Sequence, residues 1–152
     1  KDSALIVVFS AISFNIINGF INGFYLGSQT LIQHQYANYF TSYNFIIGIS
    51  IFIVGAFINI KSDEILFNLR KNNTGYSIPK EFMYRYISCP NYFGEIIEWF
   101  GFAIMVWNTP AFIFLLWTIF NLLPRAIAHH KWYQNQFSDY PTNRKAIIPF
   151  IL

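Results

Sequence analysis

Two carboxylates, Glu95 and Glu98, stand three residues apart in the otherwise apolar stretch NYFGEIIEW, residues 91–99. On a helix they share one face, with Asn91 one turn earlier on it. Carboxylates within a bilayer are costly and tend to face a polar cavity or a partner, which makes this face a candidate site. The competing account is that Pro90 starts the helix and Glu95 lies near its positive end, stabilised by the macrodipole. That account is weaker for Glu98, which lies roughly 12 Å beyond Pro90 at ~1.5 Å per residue. A second row, Arg125, His129 and Tyr133, follows the spacing i, i+4, i+8 and covers roughly 12 Å of helix. Arginine offers a permanent charge and a fork matched to phosphate, and His and Tyr add donors and flat faces, so the row suits an elongated anionic ligand. A snorkelling Arg with interfacial His and Tyr at a helix end has the same spacing. A third set, Asn59, Asp63 and Arg70, places an amide, an acid and a cation on one face. Alone it reads as a solvated face; with the other two sets it closes one cavity. His129 and His130 diverge by about 100° on a helix and no third ligand stands at a recognisable spacing, so no metal site is predicted. His130 and Lys131 are assigned to solvent.

The elements that must position these residues are membrane helices. The 152 residues are 55% hydrophobic, 21% aromatic and 11% charged, with a mean hydropathy of +0.37. This excludes an ordinary soluble domain and predicts an all-α, polytopic bundle. The formal charge of +3 resides in clusters that flank apolar runs, which points to a membrane surface rather than to nucleic acid. A single cysteine, Cys89, excludes an internal disulfide scaffold. No A-x-A cleavage pattern follows the first apolar run, so no signal peptide is predicted, and a chain opening at Lys1 reads as a fragment truncated at its N-terminus.

Four transmembrane helices are predicted in a single unit, residues 1–152: about 4–26, 44–60, 90–107 and 110–137. Residues 3–60 hold no Asp, Glu, Lys or Arg, room for two spans of about 20 residues. Gly19, Gly23 and Gly27 recur every fourth residue, which either admits a close neighbouring helix or reflects the frequency of glycine in such helices. Asn15, Asn18 and Asn22 fall on a similar face, which points it toward protein or a cavity. The uncharged linker carrying His34, Tyr36, Tyr39, Phe40 and Tyr43 suits an aromatic interfacial belt. Past residue 60 the second helix is expected to continue as an amphipathic surface segment, before a turn at Asn72-Asn73-Thr74-Gly75 and an extended run to Pro79. Asn108-Thr109-Pro110 turns the chain, and Pro124 is expected to kink the fourth helix. Five Lys or Arg in residues 61–89 and four in 125–145, against none in 28–43, assign loop 61–89 and the C-terminus to the cytosol.

The blocks NIKSDEILFNLRK, GYSIP, SCPNYFGEIIEWFGFA, PRAIAHHKWY and DYPTNRKAIIPF, in this order, resemble the C-terminal portion of the steroid 5α-reductase (3-oxo-5α-steroid 4-dehydrogenase) family. The resemblance covers nearly the whole chain. Relatives that reduce very-long-chain trans-2-enoyl-CoA or polyprenol share the fourth and fifth blocks, whereas NYFGEIIEW points to the steroid branch. The resemblance implies a seven-helix enzyme of the endoplasmic reticulum in which NADPH reduces the carbon–carbon double bond of a Δ4-3-keto steroid. It further implies cofactor contacts at Asn59, Asp63, Arg70, Asn91, Glu95, Arg125, His129 and Tyr133, supported by Glu98 and Arg144. The group that polarises the substrate carbonyl is implied upstream of this segment, so the catalytic donor and the chosen steroid are not read from it. An enoyl-CoA or polyprenol reductase, or a non-catalytic membrane relative, is the alternative reading.

Overall fold

In the computed structural model, which describes residues 2–32, 39–72 and 75–152, four long helices account for most of the chain. They are α1 (Asp2–Ile32), α2 (Tyr43–Asn72), α3 (Pro90–Val106) and α4 (Thr109–Gln136). His34, Tyr36, Asn73 and Thr74 lie outside the described residues. Among the described residues, two helices, over Tyr43–Lys71 and Thr109–Gln136, are long and apolar enough to cross a bilayer.

One boundary corrects the sequence reading: the first helix runs six residues past Leu26, to Ile32, because Gly27, Ser28 and Gln29 are not strong enough breakers to end it. The second continues past residue 60, as its spacing predicts, and does so as one α-helix to Asn72. The segment after Ile60 keeps its apolar positions at helical spacing, so the ladder is not interrupted where charge begins. Pro90 stands in the first turn of α3, and Pro110 in that of α4, where the missing N–H costs nothing. Asn108 caps α4: its Oδ1 accepts from the Ala111 amide at 2.8 Å. Past Pro124 the helix continues unbroken.

α2 and α3 form the tightest pair, and glycine makes the approach possible. Gly48 and Gly55 on α2 and Gly94 and Gly101 on α3 are buried, each facing main-chain atoms of the other helix. A Cβ at Gly94 would stand 2.5 Å from the Asn59 nitrogen and 2.8 Å from the Gly55 carbonyl oxygen. Gly19, Gly23 and Gly27, by contrast, have nothing among the described residues within 4 Å of their Cβ positions. On α1 the amides partner locally, Asn22 Nδ2 donating to Asn18 Oδ1 at 3.0 Å, and Asn22 is buried. Phe14 of α1 stacks on Phe114 and Trp117 of α4, and Tyr39 donates to the Met105 carbonyl at 2.9 Å.

Residues 137–152 fold back as a tail. The Ser88 and Cys89 amides donate to the Lys145 and Ala146 carbonyls at 2.9 and 3.1 Å, and the Lys145 amide donates to Tyr86 at 3.0 Å. Ile147 then packs with Cys89 and Ala126 in a small apolar core, with Tyr92, Phe93, Ile96 and Leu123 around it.

Candidate functional site

The glycine contact sets the first half of the site. With α2 and α3 nearly touching, the end of the apolar run on α2 meets the start of α3. Asn91 Nδ2 therefore reaches Asp63 Oδ1 at 3.1 Å. Asn59 lies against Gly94, and Glu95, half-buried one turn further on, is in electrostatic range of Glu98, Asp63 and Arg125. Three sets of residues that are distant in sequence thus share one end of the helix pair.

The last turns of α4 supply the second half. A cavity of about 960 Å³ opens between α2, the 75–77 segment, the start of α3 and α4, within the roughly 300–1,000 Å³ typical of small-molecule pockets. Arg70, Asn91, His129 and Tyr133 line it. Asp63 is joined to this wall through Asn91, while Asn59, Glu95, Glu98 and Arg125 lie outside the lining. The lining also includes Tyr76, Ser77, Ser88, Tyr92 and Trp132, residues that the sequence reading did not select. Tyr92 meets His129 edge-on at 6.1 Å and Tyr76 meets Trp132 edge-on at 5.0 Å. The aromatic density around 129–133 was the available signal for this wall.

His130 requires a correction. It is half-buried rather than in solvent, with Nδ1 2.6 Å from Ser88 Oγ and Nε2 2.9 Å from Gln134 Nε2. The returning tail covers the side of α4 that a lone helix would leave to water. Arg144 is only 4% exposed, sits over the Tyr140 ring at 5.2 Å, and keeps Nε and Nη1 without a protein partner. A guanidinium cannot shed its charge, so burial with open donors favours an anion nearby.

Two titratable groups beside the cavity are held neutral. Burial first, and the Asp63 carboxylate second, push the Tyr84 phenol up; its hydroxyl donates to the Ser62 carbonyl at 3.3 Å. Burial pushes the Cys89 thiol up to about 12. Neither is an activated nucleophile. The polar groups that remain are a cation, an imidazole, amides and phenols set among flat rings. They suit binding of an extended, phosphorylated, ring-bearing ligand more than covalent chemistry.

Among the described residues the regular elements are helices, two of them long and apolar enough to cross a bilayer, which places the chain in the class of all-helical proteins with membrane-length helices. Comparison with known proteins narrows the class. The family model for 3-oxo-5-alpha-steroid 4-dehydrogenase matches residues 1–152, and the chain belongs to that family. It is 46% identical to the steroid 5-alpha-reductase DET2 of Arabidopsis thaliana, over 93% of this chain and 54% of the relative. It is 43% identical to the DET2 protein of Gossypium hirsutum, over 95% and 56%, and 42% identical to 3-oxo-5-alpha-steroid 4-dehydrogenase 1 of Rattus norvegicus, over 100% and 58%. The chain spans little more than half the length of these relatives.

Proposed function

We propose that this chain forms the cofactor-binding part of an NADPH-dependent reductase of the endoplasmic reticulum membrane, acting on the carbon–carbon double bond of a Δ4-3-keto steroid. The observation that carries the reading is the convergence of Arg70, Asn91, His129 and Tyr133 on one cavity. The names of the relatives supply the reaction class. In this reading Arg70 and His129 hold phosphate, Asn91, oriented by Asp63, meets a carboxamide or ribose hydroxyl, and the rings of Tyr92, Trp132 and Tyr133 flank the flat parts of the ligand. The open donors of Arg144 add positive potential behind Tyr140. Arg125, exposed one turn before His129 and in electrostatic range of Glu95, and Glu95, Glu98 and Asn59 act from outside the lining by setting field and helix register.

When bound, NADPH supplies the hydride for the β carbon of the enone. A donor at the substrate carbonyl must then stabilise the developing enolate, and the reading assigns that donor to residues upstream of this segment. The four helices are taken as spans of a larger bundle, with loop 61–89 and the C-terminus on the cytosolic side, where the cofactor is available. The experiment is an assay of the complete protein in microsomes with NADPH, against a Δ4-3-keto steroid and, separately, a trans-2-enoyl-CoA. Reduction of the steroid alone supports the reading. Reduction of the thioester alone transfers the chain to the other branch, and turnover of neither substrate overturns a reductase role.

A further inference from the structure

One buried hydroxyl ties three separate elements together. Ser88, 4% exposed and placed just before α3, has its Oγ 2.6 Å from His130 Nδ1 on α4, 2.7 Å from the Tyr140 hydroxyl in the tail, and 3.1 Å from the Lys145 carbonyl. A serine hydroxyl has one proton and two lone pairs. Donation to Lys145 with acceptance from Tyr140 and from His130 Nδ1–H uses all of them, and leaves His130 Nε2 to accept from Gln134 at 2.9 Å. The node is saturated, so losing any one partner leaves a buried group unpaired.

The link to the cavity runs through Tyr140. Its ring, buried with the hydroxyl pinned to Ser88, lies parallel to the ring of Tyr133 at 5.4 Å and 16°, and Tyr133 forms part of the cavity wall. We infer that Tyr140 is a positioning residue: held by Ser88 and His130, it sets the plane of Tyr133 and so brings the C-terminal tail into the ligand site. The assignment rests on the cavity being the cofactor pocket. A tail that served only to cover the core would need neither the saturated node nor the parallel stack, since Ile147 already anchors it in the apolar cluster with Cys89 and Ala126.

The test is a double-mutant cycle in the complete protein in detergent, reading NADPH affinity and the melting temperature without cofactor. Tyr140→Phe keeps the stack and removes the pin. It is expected to weaken NADPH binding about three- to tenfold, the range of one neutral hydrogen bond, and Ser88→Ala is expected to match it. In a Tyr133→Ala background, Tyr140→Phe should have no further effect on affinity, because the residue through which it acts is gone. The same loss in both backgrounds, or unchanged affinity for Tyr140→Phe beside a wild type that binds NADPH, overturns the positioning role alone. A wild type with no saturable NADPH binding overturns the cofactor reading, and this assignment with it.

Discussion

Replacing Gly94 by alanine tests how the site is assembled, because its Cβ would meet main chain rather than a movable side chain. The contact with the Asn59 nitrogen, 2.5 Å, is about 1 Å inside an ordinary separation of about 3.5 Å. Neither the Asn59 nitrogen nor the Gly55 carbonyl can rotate aside, so α2 and α3 must part. Parting by that amount stretches the Asn91–Asp63 hydrogen bond, 3.1 Å, to about 4 Å, beyond useful reach. Overpacking of this kind costs about 1–3 kcal/mol, offset in part by about 0.5–1 kcal/mol from removing a helical glycine. The net loss, up to about 2.5 kcal/mol, lowers the melting temperature by up to roughly 10 °C. NADPH affinity should fall with it, since Asn91 loses the partner that orients it in the cavity wall. The assay is thermal melting and cofactor titration of the complete protein in detergent, with Gly19→Ala on α1, away from the cavity lining, as the control, whose Cβ has nothing within 4 Å among the described residues. A Gly94→Ala protein that melts with the wild type and binds NADPH equally well would refute the close-contact argument.

Other expectations follow from the same geometry. Arg70→Ala is expected to raise the NADPH Michaelis constant about tenfold or more, the scale of a charged hydrogen bond. Arg125→Ala, outside the cavity lining, should have a smaller effect; the reverse order in steady-state kinetics would move the phosphate site from Arg70 to Arg125. Cys89, with its thiol pushed up to about 12 from 9.0 by burial, should react with N-ethylmaleimide at pH 8 at least about a hundredfold more slowly in the folded protein than in the denatured one. Comparable rates by peptide mass spectrometry would contradict its burial. Because this acid is harder to ionise when folded, its contribution to stability is complete below about pH 9 and is lost as pH rises toward 12. Melting scans of Cys89→Ala beside wild type should converge over that interval, and parallel curves would contradict the shift. In sealed microsomes, external protease should cut loop 61–89 and the C-terminus, and protection of either would reverse the topology.

The polar constellations were legible in the sequence because helical spacing alone puts Asn59 with Asp63, Asn91 with Glu95 and Arg125 with His129 and Tyr133. Spacing could not tell which members reach a shared space. Arg70 and His129 reach it and Arg125, one turn before His129 on the same face of α4, does not. Glycine was misleading for a related reason. The four-residue repeat on α1 meets no neighbour among the described residues, whereas Gly48, Gly55, Gly94 and Gly101, spaced by sevens on two different helices, make the close contact. A match between two helices cannot be read from the pattern of either one. His130 was assigned to water because nothing local foretold that Tyr140 and Lys145 would return to Ser88. That register between residues 86–89 and 145–146 is long-range and carries no periodic mark.

If the cavity bounded by α2, α3 and α4 takes the cofactor, an azido derivative of NADP should photolabel its walls. In the complete protein, label is expected on peptides containing residues 66–77, 88–92 or 128–133, competed away by unlabelled NADPH and reduced by Arg70→Ala. Competable label confined to other segments would contradict it.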